Sequence, residues 1–343
     1  MSLPKPLESA EQISDIAFGF MGSKALFSAL HVDLFSALAD GGGSVEDVAG
    51  KTGLDPDRAM TLLTALTTLG LVVRNGKAYE NAPAADAFLV KGRKYDFGDY
   101  LRFQIDKQMY PFLTQLEEAL TGELEPEQVS SYADWFSDAE EARIYSESQH
   151  SGSLGPGRSL AKMIDLSKAR TLLDVGGGTG AFSISLCKAY PELRSTVLDF
   201  PNVVDVGRGF VKKAGLSDRV EFNPGNALEI EWPKDRDVIL MSYLFSGVPG
   251  ETIPGLVRAA MDHLAPGGHF IVHDFMVEDD RTGPKLAALW QLQHVAFNPE
   301  ARSVTSGWVR ALMEAAGFKD IEIAEMIPGM TTMVHGVKPA AGA

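Results

Sequence analysis

Between Thr171 and Gly180 the chain reads TLLDVGGGTG, an apolar run, an acidic residue, then four glycines within five positions. AFSISLCKAY follows with helical spacing. Glycine there lets the backbone turn sharply and approach a ligand with no Cβ in the way. The helix that follows offers N–H groups without intrahelical partners. About 20 residues further on, STVLDF puts Asp199 at the end of a second apolar run, where a carboxylate can accept both hydroxyls of a ribose. These residues predict an adenosine-containing cofactor. They do not say which one, since Gly176, Gly178 and Ala181 also satisfy the G-x-G-x-x-A pattern of nicotinamide dehydrogenases.

Later segments break the tie. RVEFNPGNAL places Asn226 after a third strand, where an amide can hydrogen-bond an adenine edge, or serve only as a turn residue of Pro224-Gly225-Asn226. HLAPGGHFIVHDF predicts a helix, a Pro-Gly-Gly turn and a fifth strand. FKDIEIAEMIPGMTTMVHGVKP predicts an antiparallel hairpin across Pro328-Gly329. A closing hairpin after five parallel strands is not the dehydrogenase ending.

The elements that position these residues change character near Leu166. After it, short apolar runs alternate with amphipathic helices, the pattern of a covered parallel sheet. Before it the pattern is helical. Ile13 to Leu38 reads as two helices broken near Gly22 or His31, Ser44 caps a helix to Ala49, and Asp55-Pro56 opens one through Leu69. Short strands Leu71–Arg74 and Ala78–Glu80 flank Asn75-Gly76. Helices followed by a hairpin are a winged-helix arrangement. DNA binding is disfavoured, because the would-be recognition helix has Arg58 as its only basic residue. Its Met60, Leu62, Leu63, Leu66 and Leu69 fit an interface or a core. Tyr100 to Leu166 is helical again around a loop at Gly122–Pro126, and a short Ala-rich tail runs from Ala340 to Ala343.

A formal net charge of -15 disfavours nucleic acid and anionic membranes. The single Cys187 excludes an intramolecular disulfide, and its place among Phe182, Ile184 and Leu186 predicts packing. MSLPKPLESAEQ lacks the apolar core of a signal peptide and no run approaches 18 apolar residues, so a cytoplasmic address is expected.

Together, LLDVGGGTG, VLDFP, GNAL, LAPGG and the ending MEAAGF…MVHGVKP resemble the small-molecule O-methyltransferase family over nearly the whole chain. The resemblance implies an α/β fold: a Rossmann-like class I methyltransferase domain on a seven-stranded sheet, after a helical winged-helix dimerisation domain. The expected divisions are 1–99 for dimerisation, 100–165 for a helical connector walling the substrate pocket, and 166–343 for the methyltransferase domain. It implies S-adenosylmethionine as cofactor, no metal, a small-molecule methyl acceptor and a homodimer. It puts Gly176 and Gly178 against the methionine part of the cofactor, Asp199 on the ribose with Phe200 nearby, and Asn226 opposite the adenine, where the family usually has Asp. Asp174, Ala227 and Ser242 complete the expected cofactor set.

One family feature is missing. In most of these enzymes the fourth strand runs into His-Asp-Trp, and the His removes a proton from a hydroxyl. The matching stretch here is VILMSYLFSGVPGETI, with Phe245 at or next to the His position, Ser246 after it and no Trp. A phenol with a pKa near 10 gains from a positioned base, whereas a thioether sulfur has no proton to lose. Thioether transfer needs alignment, exclusion of water and aromatic faces that tolerate a cation. Tyr243, Phe245, Trp290 and Phe297 are candidate faces. Candidate bases or donors are His273 with Asp274, His294 one turn from Trp290, and Tyr145 with His150; Tyr145 and His294 stand foremost, and each His has a structural alternative.

Within the family the chain is most similar to two branches without the base. One comprises the methylthiohydroxybutyrate S-methyltransferases of dimethylsulfoniopropionate synthesis, the other the C-methyltransferases of bacteriochlorophyll synthesis. The likeness is strongest over HDFMVEDDRTGPKLAALWQLQHVAF. The expected reaction is S-methylation of 4-methylthio-2-hydroxybutyrate to a sulfonium. The alternatives are C- or O-methylation of a tetrapyrrole, phenolic or polyketide acceptor, and, in another class, a non-catalytic cofactor-binding regulator.

Overall fold

The computed structural model describes residues 5–125, 131–298 and 300–340, so Pro126 of the expected loop and the last three residues of the tail lie outside the described residues. The chain divides into two compact units, residues 2–110 and 111–343. That boundary falls inside the expected connector, residues 100–165.

The first unit runs α1 (Ala10–Ala17), α2 (Gly19–His31), α3 (Leu34–Ala37), α4 (Val45–Thr52), α5 (Pro56–Thr68), β1 (Val72–Asn75), β2 (Ala78–Asn81) and α6 (Pro83–Leu89). A wide-turned π-type helix, Tyr100–Met109, closes it. The helix starts follow the local chemistry. Ser44 and Asp47 form a reciprocal capping box on α4, and the Asp55 carboxylate accepts from the Asp57 and Arg58 N–H groups ahead of α5. The break in the first helical run falls at Phe18 rather than Gly22, and the second at His31 as expected.

Leu63 and Leu66 are fully buried against Leu30, Leu34, Phe35 and Val48, whereas Met60 and Leu69 of the α5 apolar set are exposed and Leu62 is half-buried. The most exposed apolar side chains of this unit lie on α1, at Phe18 and at the start of α2. Ile13, Ile16, Phe18, Phe20 and Met21 are each more than half exposed, and α1 buries no residue. Against the sequence expectation, Ala10–His31 is long and apolar enough by composition to cross a membrane, although Phe18 interrupts its helical course.

The second unit begins with α7 (Leu116–Thr121), α8 (Tyr132–Trp135) and the long α9 (Ala139–Met163). The remainder is β3 (Thr171–Val175), α10 (Ala181–Ala189), β4 (Arg194–Asp199), α11 (Pro201–Lys213), β5 (Val220–Pro224), β6 (Arg236–Ser242), α12 (Ile253–His263), β7 (Leu264–Asp274), α13 (Lys285–Phe297), α14 (Ser306–Ala316), β8 (Lys319–Ile327) and β9 (Thr331–Val337). The seven strands lie in the order β5-β4-β3-β6-β7-β9-β8. The first five are parallel, and β9 and β8 are antiparallel, which is the expected sheet with its closing hairpin.

Strand β3 is apolar on both faces because both are covered. Leu173, Ile239 and Phe270 pack against α12 and α14, whereas Leu172, Leu240 and Ile271 pack against α9 and α10. Cys187 on α10 is fully buried in the second layer. The chain winds outward from β3 to β5, then crosses back to β6. The strand order therefore reverses between β3 and β6, and the crevice at their carboxyl ends is where such sheets bind ligands.

Candidate active site

A cavity of about 330 Å³ opens at that reversal, within the second unit. Its floor is the glycine turn after β3. Gly176, Gly178 and Gly180 take left-handed φ values of 66°, 59° and 75°, and a Cβ on Gly177 would lie 2.6 Å from the Asp174 carboxyl carbon. Here glycine is required by both backbone and space. The Gly176 N–H donates to the Leu198 carbonyl (2.8 Å), and the Gly178 N–H donates to Asp199 Oδ2 (2.7 Å). Asp199 Oδ1 accepts from the Phe200 N–H (2.8 Å), so the carboxylate keeps roughly two of its four lone-pair sites for a ligand. Asp174 is fully buried, accepts from Ser183 Oγ on Oδ2, and leaves Oδ1 without a partner at the cavity wall. Burial pushes both Asp174 and Asp199 up to about 6.

Each residue of the expected cofactor set, Asp174, Gly176, Gly178, Asp199, Phe200, Asn226, Ala227 and Ser242, lines this cavity. The Asn226 amide is engaged in its own turn. Its oxygen accepts from the Leu228 N–H and its nitrogen donates to Glu229. Ser242 Oγ lies 2.9 Å from Nδ1 of the fully buried His273.

The acceptor candidates divide. Tyr145 and Tyr243 line the cavity. Tyr243 does so with a left-handed φ of 58°, uncommon for an aromatic residue and held by its N–H to the His273 carbonyl. The other four do not line it. Phe245 is fully buried in the layer under α12. Trp290 stacks on Phe275 at 4.4 Å. His294, on the same helix, bonds back to the Trp290 carbonyl and is held down to about 4 by burial. His150 stacks on Phe210 at 3.7 Å, bonds to Thr179, and is likewise held at about 4. The helical spacing of these residues was right, but α9 and α13 turn those particular faces into the protein. His273 is held down to about 3 by burial, and Asp274 is occupied by Ser246 and the Phe275 N–H. Among the described residues lining the cavity there is no His, Lys or Arg.

Residues that sequence reading missed complete the wall. Ser131, Tyr132 and Phe136 come from α8 and its flanks, Ser146, Gln149 and Ser153 from α9, and Gly247 and Asn298 from loops. Ser146 is 2% exposed and its Oγ has no partner, nor has Gln149 Oε1. The one signal in the sequence was the spacing of Tyr145, Gln149 and Ser153, a polar stripe four residues apart on one helix face.

Residues 128–319 match the O-methyltransferase domain model and residues 14–91 the O-methyltransferase dimerisation domain model. The chain is 30% identical over 329 residues to the tetracenomycin polyketide synthesis 8-O-methyl transferase of Streptomyces glaucescens, covering 95% of this chain and 96% of that one. It is 28% identical to the 3-hydroxy-5-methyl-1-naphthoate 3-O-methyltransferase of Streptomyces sahachiroi, over 95% and 94% of the two chains. The fold matches human N-acetylserotonin methyltransferase in complex with S-adenosylmethionine, with a TM-score of 0.84 at 22% identity, over 98% of this chain and 100% of that one. Glycine turn, strand-end carboxylate, partnerless Asp174 oxygen and sheet order all fit that cofactor. The chain belongs to the O-methyltransferase family and is an S-adenosylmethionine-dependent methyltransferase of small molecules.

Proposed function

We propose that this enzyme transfers a methyl group without a protein general base, to the thioether sulfur of 4-methylthio-2-hydroxybutyrate, leaving a sulfonium. The observation that carries this reading is a cavity lined by tyrosines and phenylalanines, with no histidine among the described lining residues, while Phe245 is buried elsewhere. Bound S-adenosylmethionine supplies an electrophilic methyl group. The protein's own residues hold and exclude. Asp199 would accept the ribose hydroxyls, the Gly176–Gly178 turn and Asp174 would hold the methionine part, and Asn226 with Ala227 would border the adenine. Tyr145 and Tyr243 present ring faces, which favour a neighbouring cation. In place of the expected His150 and His294, Ser146 and Gln149 offer the acceptor's carboxylate and hydroxyl end neutral hydrogen bonds.

A second reading is favoured by the two Streptomyces relatives, whose names give an oxygen of a polyketide and the 3-hydroxyl of a naphthoate as acceptors. In it the acceptor is a planar phenol acidic enough to arrive ionised, so its own acidity replaces the base.

An assay of 4-methylthio-2-hydroxybutyrate, 3-hydroxy-5-methyl-1-naphthoate and a tetrapyrrole, read by product mass, separates these. With the thioether at saturating cofactor, kcat should be flat from pH 6 to 9, and Phe245→His should bring no gain. A steep rise abolished by removing one histidine would overturn base-free transfer. Turnover of the naphthoate alone would move the reading to the phenol.

A further inference from the structure

Gly247 lies where the loop after β6 meets α8, and its surroundings are unusually closed. A Cβ built there would sit 2.8 Å from Tyr132 Cε2 and 3.3 Å from Cδ2, closer than a real side chain tolerates. Its φ is not left-handed, so backbone freedom does not explain the glycine; the ring does. Neither partner can retreat. The Ser246 N–H and Oγ both donate to the buried Asp274 carboxylate at 3.0 and 2.6 Å, and the Gly247 carbonyl accepts from Asn298 at 3.4 Å. The Tyr132 ring is hemmed in by Phe297 at 4.9 Å, Phe136 at 5.3 Å and Tyr145 at 6.0 Å.

We propose that Tyr132 is the specificity-determining contact at the acceptor end of the cavity, and that Gly247 is the positioning residue that lets its ring lie there. Tyr132 and Tyr145 share a hydrogen bond, and burial pushes the Tyr132 phenol up to about 12, so that phenol stays neutral. The two phenols at the cavity wall can hydrogen-bond an acceptor oxygen (carbonyl, hydroxyl or carboxylate), and the neutral Tyr132 cannot take a proton from it. Their ring faces meanwhile limit the width of what enters. The proposal rests on methyl transfer in this cavity and is independent of whether sulfur or oxygen is methylated.

The test is a double-mutant cycle in the full-length enzyme, with Gly247→Ala, Tyr132→Ala, the pair together, and Tyr132→Phe. Calorimetry gives the affinity for S-adenosylhomocysteine. On the enzyme saturated with it, the affinities of 3-hydroxy-5-methyl-1-naphthoate and 4-methylthio-2-hydroxybutyrate are then measured. Gly247→Ala should weaken the probe that binds wild type by about tenfold, with product-cofactor affinity within about twofold. Added to Tyr132→Ala it should change nothing further, because no ring remains to displace. Tyr132→Phe keeps the ring and loses the phenol, and should cost about tenfold for a lost hydrogen bond. Equal costs of Gly247→Ala in both backgrounds would show a plain backbone role and overturn the pairing. Failure of both probes to bind wild type, or unchanged probe affinity in Tyr132→Phe, would overturn the acceptor contact. If Gly247→Ala fails to bind the product cofactor, Tyr132→Phe alone decides.

Discussion

Asp174 and Asp199 face one cavity with their carboxyl groups pushed up to about 6 by burial. A carboxylate that accepts ribose hydroxyls must be ionised, so cofactor affinity should be full above about pH 7. It should fall as pH drops through about 6, by up to about tenfold per pH unit for each proton taken up. Folding stability runs the other way. The native chain binds these protons more tightly than the unfolded chain, so the two acids favour the fold below the usual carboxylate range and lose that contribution as pH rises through about 6. Calorimetric titration of S-adenosylmethionine from pH 5 to 8 checks the first statement, and a flat profile would refute it. Asp199→Ala should weaken binding by roughly 1.5–3 kcal/mol, the range for hydrogen bonds to a charged group. These residues were legible in the sequence because the turn and its carboxylate lie on consecutive strand ends. Tyr132 and Gly247 were not, since nothing along the chain says that residues so far apart will meet. His294 and His150 were misread for a related reason: helical spacing fixes which residues share a face, not where that face points.

Helix α9 shows the same division at the scale of an element. Its 25 residues carry serines, glycines, Pro156 and few large apolar side chains, so pattern alone suggested only a helical connector. Tertiary packing explains the composition. A Cβ on Gly157 would lie 2.8 Å from Ser185 Oγ and 3.2 Å from the Phe182 Cα, so glycine is what lets α9 lie close on α10. From there His150 reaches Thr179 in the glycine turn, and Ser146, Gln149 and Ser153 reach the cavity. Gly157→Ala should force the two helices apart, costing about 1–3 kcal/mol of stability and weakening cofactor affinity together with it. Thermal melting and calorimetry on one preparation check this, and a loss of stability with cofactor affinity intact would show that α9 does not brace the turn. Elements whose starts depend on neighbours in sequence were read well. The caps at Ser44 and Asp55 and the closing hairpin needed no tertiary information.

Over the whole molecule, the alternation of apolar runs and helices foretold a parallel sheet, because parallel strands need crossover helices, but not which strands lie side by side. Assembly was legible only in part. Of the expected dimer face, Met60, Leu63 and Leu66 with the helices near Phe18, the first unit buries Leu63 and Leu66, while Met60 and the apolar residues of α1 and the start of α2 are exposed within the dimerisation-domain match. A homodimer at micromolar concentration is expected, and Ile16→Asp should shift it to monomer in sedimentation. A wild-type monomer would refute it. Cys187 has a different consequence. It is the chain's single thiol, fully buried, with burial pushing it up to about 11, so folded enzyme should be almost inert to thiol reagents. Helix α10, which carries it, begins directly after the glycine turn. An opening that bares the sulfur must therefore dismantle the cofactor floor, and saturating S-adenosylmethionine should slow labelling in proportion to its occupancy. Labelling that ignores the cofactor would mean that α10 frays on its own. Otherwise the lone thiol is a clock that ticks once each time the molecule lets go of its ligand and its core together.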